Sequence, residues 1–191
     1  MKSKIIFYST VIFVQVMVAN IIVFAQNNND ISVPVPVTYV DLDKYSGLWY
    51  EIAKIPNSFQ DHCAYGTTAE YKIEPDGDII VINKCYDKEG ALDIAEGVAN
   101  IVDKITNAKL EVSFVSFFGI RPFWGDYWII GLGEDYEYAI VGHPERKYGW
   151  ILSRTPSITD EKMEEIWSII IEQGYNRGDF ELTDQNIRQQ Q

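Results

Sequence analysis

Short apolar runs in which hydrophobic and polar residues alternate occupy the chain from residue 47 to residue 155, with turn residues between them. Successive side chains of a β-strand point to opposite faces of a sheet, so this period of two predicts strands. The turn sequences, such as Lys88-Glu89-Gly90, come at near-regular intervals, which is typical of an antiparallel meander. The pattern predicts eight strands, A to H, at about 47–55, 64–74, 78–87, 92–103, 108–117, 124–132, 136–142 and 148–154.

One helix is predicted after the last strand. Thr159 is a suitable N-cap, and Gly174 follows the last turn at the C′ position. An apolar stripe at helical spacing is formed by Met163, Ile166, Trp167 and Ile170. A helix with such a stripe must pack on another element.

These elements indicate an all-β fold: an eight-stranded antiparallel up-and-down β-barrel with one C-terminal α-helix packed on the barrel. They are too few for a large two-sheet sandwich with an added helical layer. A closed barrel of eight strands has no exposed strand edges and is just wide enough to hold one small ligand. A β-sandwich is the alternative architecture.

Residues 1–25 are typical of a secretory signal peptide. Lys2 and Lys4 precede a long uncharged apolar stretch, and a polar run follows Ala25. Cleavage after Ala25 is favoured over cleavage after Ala19, and an uncleaved membrane anchor is the alternative. No cysteine lies near either site to carry a lipid anchor, so we expect an exported, soluble protein that is periplasmic or secreted.

The remaining chain is expected to form one domain, residues 39–191, after a flexible lead-in at residues 26–38. Loss of Lys2 and Lys4 with the signal peptide changes the net charge from −12 to −14. A chain this acidic is repelled by nucleic acids and by anionic lipid surfaces, so neither is an expected electrostatic partner.

Three motifs lie in order along the chain: Gly47-Leu48-Trp49 before YEIAKIPNSF, Asp135-Tyr136 within EDYEYAIVG, and Arg154 within WILSRTP. Together they resemble the motifs of the lipocalin family, most closely its bacterial outer-membrane and apolipoprotein D-like group. The resemblance covers nearly the whole mature chain. It implies the barrel already predicted, with Gly47, Trp49, Asp135, Tyr136 and Arg154 as structural residues of its floor.

In an up-and-down barrel strand A starts at the end where strand H finishes, so Trp49 and Arg154 should meet there. A guanidinium over a desolvated indole ring contributes about 1–2 kcal/mol. The simpler alternative makes Trp49 an ordinary core residue and leaves Arg154 exposed.

Glu51 is unusual in an apolar strand, because burial of an unpaired charge is costly. If Trp49 points inward, alternation also points Glu51 and Ala53 inward, with Tyr50 and Ile52 outward. Glu51 would then lie low in a hollow barrel, where water or a cationic partner satisfies it. A bulge that turns Glu51 to solvent is the alternative.

The pocket is expected to be lined mainly by apolar and aromatic side chains with a few polar groups. Alternation points Leu152 and Trp150 inward, and the resemblance implies that Tyr71 and Asn83 face the pocket. The expected ligand-binding residues are Glu51, Tyr71, Asn83, Trp128 and Trp150. Such a cavity suits a small amphipathic lipid, a fatty acid or a lysophospholipid. A filled interior without a ligand is the alternative.

Aromatic residues are concentrated in the stretch VSFVSFFGIRPFWGDYW, and alternation cannot place all of them inside the barrel. The loop at residues 117–124 should lie at the open end. There Phe117, Phe118, Phe123 and Trp124 suit shallow contact with a membrane. Packing of these rings under the loop between strands A and B is the alternative.

The two cysteines of the chain, Cys63 and Cys85, fit one disulfide in an oxidising compartment, with free thiols as the alternative. If Tyr71 opposes Asn83, Cys85 opposes Ala69, and Cys63 lies six residues further along strand B, about 20 Å away and beyond disulfide reach. The bridge therefore requires strand B to bend or break, and Gly66 is the residue best suited to this.

The sequence favours a binding protein over an enzyme. Its only histidines are His62 and His143, and no Ser-His-Asp order, phosphate-binding loop or HExxH motif is present. We therefore predict no catalytic residue, metal or cofactor, and a role in envelope lipid storage, transport or stress response. The alternatives are a thiol-dependent isomerase with a free cysteine, a haem carrier that uses the two histidines, and an envelope factor that binds another protein.

Overall fold

The computed structural model describes residues 33–75 and 77–186. The predicted signal peptide, residues 1–25, lies outside the described residues. The strands are β1 Gly47–Lys54, β2 Tyr65–Ile73, β3 Ile79–Tyr86, β4 Leu92–Ile101, β5 Lys109–Ser113, β6 Gly125–Leu132, β7 Tyr138–Gly142, β8 Gly149–Ser153 and β9 Glu181–Leu182. The helices are α1 Leu42–Tyr45 and α2 Asp160–Glu172, and a 3₁₀ turn follows at Arg177–Asp179.

Strand β1 closes the sheet because it pairs on both of its edges. The strand order in the described chain is β2-β3-β4-β5-β6-β7-β8-β1-β9, and the residues from Gly47 to Tyr50 also pair with β2. Strands β1 to β8 therefore form the predicted antiparallel up-and-down barrel, and the sandwich alternative is wrong. The short strand β9 was not predicted and pairs with the far end of β1, at Ala53 and Lys54.

Strand β5 is shorter than predicted, because the chain leaves the ladder after Ser113. The Ser113 carbonyl accepts a hydrogen bond from the Arg121 guanidinium at 3.0 Å. Phe117 and Ile120 then bond to each other across a tight turn. The aromatic segment that follows β5 is therefore a loop.

Helix α2 begins and ends where the sequence predicts. The Thr159 hydroxyl accepts the Lys162 N–H at 3.3 Å and caps the first turn. Gly174 follows the helix with φ of +79°, a conformation that glycine adopts without strain. The buried face consists of Ile166, Trp167 and Ile170, which pack in a core on the outer wall of the barrel. No helix in the described part of the chain is long and apolar enough to cross a membrane.

The closed end of the barrel is organised by Arg154. Its guanidinium carbon lies 3.7 Å from the ring centre of Trp49, which is fully buried, so the expected cation–π contact is present. The same guanidinium donates hydrogen bonds to the backbone carbonyls of Leu48, Lys44 and Tyr45 at 2.8, 2.6 and 3.1 Å. Arg154 therefore fastens helix α1 across the end of the barrel.

The other floor residues position the same helix. The Tyr136 hydroxyl accepts the N–H of Asp41, the N-cap of α1, at 2.8 Å. Gly47 joins α1 to β1 with φ of +92°, where a side chain would be strained. Asp135 is exposed in the turn before β7, and its N–H donates to the Glu137 carboxylate at 3.2 Å.

Residues 33–38 do not form the flexible lead-in that the sequence predicts. Pro34 is fully buried, and the Val37 N–H donates to the Ile129 carbonyl at 2.9 Å. Val35 exchanges two hydrogen bonds with the Gln173 amide at 2.7 and 3.0 Å. Bonds to the barrel and to the end of α2 hold this segment in place, and residues 26–32 lie outside the described residues.

The register of β2 and β3 differs from the one assumed in the sequence analysis. Tyr71 faces Val81, and Asn83 faces Ala69, so the strands are offset by two residues from the expected pairing. The register shifts again between Tyr65 and Thr68, where β2 is irregular.

The irregularity in β2 lets the disulfide form. Gly66 lies in it with φ of +65°, so β2 breaks at the residue that the sequence suggested. The chain before Gly66 stays against β3, with Tyr65 paired to Tyr86, and Cys63 and Cys85 are bridged with their Cα atoms 5.5 Å apart. The disulfide pins the loop between β1 and β2 to the barrel, and the free-thiol alternative is wrong for this structure.

We expect Trp49→Ala to lower the free energy of unfolding by about 3–5 kcal/mol, as for a large buried side chain. Arg154→Ala should cost less, because the guanidinium is only partly buried. The double variant should be more stable than the sum of the two effects implies, since the groups are in contact. Urea unfolding of the four proteins measures this coupling, and strictly additive effects would contradict an energetic role for the contact.

Reduction of the Cys63–Cys85 bridge should lower the free energy of unfolding by about 3 kcal/mol, because a loop of about 23 residues is released in the unfolded chain. Thermal and urea unfolding with and without a reductant measure the effect. A Cys63→Ser, Cys85→Ser variant is the control, and its stability should not respond to the reductant.

Candidate functional site

The interior can be followed along rows of cross-strand partners, which share one face of a sheet. One row runs from Trp49 through Ala69 and Asn83 to Ala95, and Trp49 places it inside the barrel. The two alanines leave space on both sides of Asn83. Ala95 is exposed although it faces inward, so solvent reaches the interior at this level. The inner face of the barrel is therefore accessible to solvent at this level.

The aromatic wall, formed by Trp150, Tyr148 and Phe59, lies on the opposite side of the barrel mouth from this row. Trp150 belongs to the interior row that contains Ile129 and Val141. Its ring lies 6.1 Å from that of Tyr148 in a stacked arrangement and 6.3 Å from that of Phe59. These three rings give the open end a continuous apolar face.

Glu51 is buried inside the barrel, with only 3% of its surface exposed. Its carboxylate accepts hydrogen bonds from the Gln60 amide at 2.8 Å and the Thr183 hydroxyl at 2.6 Å, and it pairs with the Lys54 ammonium at 3.2 Å. The Gln60 amide oxygen accepts the Trp150 indole N–H at 3.0 Å, which links this polar cluster to the aromatic wall. The charge is therefore paired and fully hydrogen-bonded, as a buried carboxylate requires.

A bulge in β1 brings Glu51 and Lys54 to the same face. Regular alternation places residues three apart on opposite faces of a strand. Here Glu51 pairs with Leu152 and Ala53 with Ile151, so Ile52 is an extra residue. The bulge keeps Glu51 inside and turns Lys54 inward to meet it. It also turns Ala53 to the outer core, so the prediction that Ala53 faces inward is wrong.

The C-terminal segment, residues 181–185, completes the polar cluster around Glu51. It lies in the gap between β1 and β2. These two strands diverge after Tyr50, and β9 with the residues behind it lies in the gap. The Gln185 amide donates to the carbonyls of Glu51 and Thr67 at 2.6 and 2.8 Å, and the Gly66 N–H donates to Asp184 at 2.7 Å. The amino-acid sequence does not predict this role, because a short polar tail carries no alternating pattern.

Trp128 is not part of the pocket, so its assignment as a ligand-binding residue is wrong. Its neighbours Tyr127 and Ile129 belong to the inner core, and alternation therefore turns Trp128 outward. It packs beside the outer core, with the Lys109 ammonium 4.3 Å from its ring centre.

The closed end of the interior contains a buried triad of tyrosines. The Tyr127 hydroxyl lies 2.7 Å from those of Tyr45 and Tyr71. They line a void of about 10 Å³, close to the least space that admits one water molecule. Burial raises the pKa of Tyr71 to about 12, and burial raises the pKa values of Tyr45 and Tyr127 well above the usual range. Tyr71 therefore faces the interior at its tightly packed end.

The loop between β5 and β6 presents large apolar side chains to solvent. Phe118 is 90% exposed, Phe123 68% and Phe117 67%, while Trp124 is half-buried and donates its indole N–H to the Arg121 carbonyl at 3.0 Å. Packing of the three phenylalanines under the neighbouring loop, the alternative considered from the sequence, is therefore wrong.

The architecture is a closed β-barrel with a sealed floor, an open mouth and one helix on its outer wall. A family profile described as a lipocalin-like domain matches residues 40–185, and the chain belongs to the lipocalin family.

Similar proteins span most of the chain. Temperature-induced lipocalin-1 of Arabidopsis thaliana is 37% identical over 150 residues, which cover 77% of this chain and 80% of that protein. Outer membrane lipoprotein Blc of Escherichia coli (strain K12) is 39% identical over 145 residues, 75% of this chain and 78% of the relative. The structure of insecticyanin from the tobacco hornworm Manduca sexta superposes with a TM-score of 0.64 at 26% identity, over 78% of this chain and 82% of that one.

Alkaline pH should destabilise the protein through the tyrosine triad. A tyrosine of the unfolded chain loses its proton near pH 10, whereas folded Tyr71 keeps its proton to about pH 12. The contribution of Tyr71 is thus complete below about pH 10 and is lost as the pH rises toward 12, by about 1.4 kcal/mol per pH unit, and burial of Tyr45 and Tyr127 acts in the same direction. Urea unfolding at several pH values tests this, and Tyr71→Phe should reduce the slope. An equal slope in both proteins would contradict the assignment.

Proposed function

We propose that this protein binds one fatty acid or lysophospholipid in the open half of its barrel. The observation that carries the proposal is the combination of an open interior beside Asn83, the aromatic wall at Trp150 and the polar cluster at Glu51. Pockets for amphipathic ligands have this composition: a mostly apolar lining with a few placed polar groups. Membership of the lipocalin family supports the same class of function.

The acyl chain is proposed to lie against the aromatic wall and the small side chains of the row from Ala69 to Ala95. The acyl chain is proposed to reach no deeper than this row, because the void of about 10 Å³ at the closed end is too small for a hydrocarbon chain. The Asn83 amide faces the interior and has no hydrogen-bond partner among the described residues. Asn83 and Lys54 are therefore the groups proposed to meet the ligand head group near the mouth.

We further propose that the loop between β5 and β6 touches a membrane when lipid is exchanged. Exposed Phe117, Phe118 and Phe123 form an apolar surface at the same end as the mouth, and aromatic side chains favour the interface between lipid and water. The acidic chain should prefer zwitterionic lipid, because anionic head groups repel it at low salt. This fits the proposed location outside the cytoplasm, either periplasmic or secreted, and a role in envelope lipid storage, transport or stress response.

A protein-binding factor is the second candidate, and the same exposed loop is what favours it, since apolar patches also mark protein interfaces. The two candidates differ in the pocket: a carrier requires an apolar ligand inside the barrel, whereas a binding factor does not. An isomerase that depends on a free thiol is disfavoured, because Cys63 and Cys85 are bonded to each other.

The affinity for zwitterionic lysophospholipids should rise with acyl chain length and then level off. Each buried CH₂ contributes about 0.8 kcal/mol until the cavity is full. Intrinsic fluorescence titration of a chain-length series measures this, because Trp150 lies on the proposed wall. Trp150→Phe should remove most of the fluorescence change.

Trp128→Phe is the matched control, since Trp128 lies on the outer face of the same barrel. Trp128→Phe should bind the lipid with the affinity of the unchanged protein and keep the fluorescence change. Native mass spectrometry should show one lipid per chain. An affinity that does not depend on chain length would contradict a ligand housed in an apolar cavity.

A further inference from the structure

Three side chains with metal-binding atoms converge beside the mouth of the barrel, and a fourth, Asp93, contacts one of them. The sulfurs of Cys63 and Cys85 and a ring nitrogen of His62 all lie within 4.8 Å of one another. The His62 Nε2 is 3.7 Å from the Cys63 sulfur and 3.0 Å from a carboxylate oxygen of Asp93. None of the steps proposed for lipid binding uses these groups.

Two features of the fold, a cross-strand pairing and the course of a loop, bring these side chains together. Asp93 is the cross-strand partner of Cys85 in β4 and β3, so their side chains share one face. His62 precedes Cys63 in the loop before Gly66, where the chain stays against β3. The cluster is accessible from one side, because about half of the His62 and Asp93 side chains is exposed while Cys85 is buried.

The hydrogen-bond geometry favours a shared centre over a proton relay. A Cys–His–Asp relay uses both ring nitrogens, one toward the sulfur and the other toward the carboxylate. Here the same nitrogen, His62 Nε2, faces both Cys63 and Asp93. A ring nitrogen that faces both a sulfur and a carboxylate oxygen is placed to share one metal ion with them.

We propose that the protein with a reduced disulfide binds one Zn²⁺ ion, or a similar thiophilic divalent cation, through Cys63, Cys85, His62 and Asp93. Two thiolates, one imidazole and one carboxylate are a complete tetrahedral set for zinc. The Cα separation of 5.5 Å already holds the two cysteines near enough to share an ion. The metal then replaces the disulfide as the clasp that pins the loop between β1 and β2.

Reduction of the Cys63–Cys85 disulfide is a two-electron step for which a phosphine is the reductant. The phosphine gives two electrons to the S–S bond, which breaks to form two thiols, and becomes a phosphine oxide with the oxygen of one water molecule. Each thiol then releases a proton when its sulfur binds the ion. The oxidised protein has no thiolate to offer, so disulfide and metal are alternative states of one site.

Cobalt(II) is a suitable probe, because thiolate-bound tetrahedral Co²⁺ has characteristic visible and near-ultraviolet absorption. Titration of the phosphine-reduced full chain should give these bands at one ion per chain, and Zn²⁺ should displace the cobalt. The oxidised protein should give no thiolate bands. Zn²⁺ should raise the unfolding temperature of the reduced protein and leave that of the oxidised protein unchanged.

Variants of His62 and Asp93 distinguish a four-ligand metal site from chelation by the two thiols alone. His62→Ala and Asp93→Ala should each lower the zinc affinity of the reduced protein at least tenfold, on the order of a lost ligand or partner. His143→Ala is the matched control and should bind like the unchanged protein. Circular dichroism of each reduced protein verifies that the barrel is folded. Equal zinc affinity in His62→Ala and the unchanged protein, or an absence of cobalt–thiolate bands, would overturn the proposal.

Discussion

The pairing of β1 along both of its edges is the constraint on which the rest of the structure depends. A sheet of this size has two edges with unpaired backbone groups unless its first and last strands meet. Strand β1 pairs with β2 from Gly47 to Tyr50 and with β8 from Tyr50 to Lys54. The barrel is therefore sealed at one end and divided at the other. The contact between Trp49 and Arg154 lies at the sealed end, where that pairing begins.

The divided end explains why charged and polar groups are buried in a barrel with an apolar interior. Beyond Tyr50 the edge of β1 is left without β2, and the segment from Glu181 to Gln185 supplies the missing backbone bonds. The same segment brings the Thr183 hydroxyl to Glu51. A buried carboxylate is tolerated there because Lys54, Gln60 and Thr183 replace the water that it loses.

The two halves of the barrel consequently differ in how tightly they are packed and in how accessible they are to solvent. At the closed end tyrosine hydroxyls, the Arg154 guanidinium and helix α1 leave a void of about 10 Å³. At the open end the interior carries small side chains under an aromatic wall, and apolar rings extend into solvent on the loop after β5. A protein that takes up an amphipathic molecule through one end needs this asymmetry, because a rigid floor keeps the barrel closed while the mouth remains accessible.

Features that depend on local periodicity and turn chemistry are predictable from the order of the amino acids. Alternation predicted the strands of the barrel, the apolar stripe predicted α2, and Gly66 marked the break that lets Cys63 reach Cys85. Glu51 stood out as a charge that needed a partner. These signals are readable because each one depends on residues close together in the chain.

Where the period of two is broken, the assembled barrel sets which side chains share a face. The bulge at Ile52 brings Lys54 to Glu51 and turns Ala53 outward, and no local pattern marks it. A register offset of two residues changes the partner of Asn83, and β9 fills a gap that exists only once the barrel has closed. Bulge position, register and the docking of a polar tail are set by contacts between residues far apart in sequence, so alternation alone does not contain them.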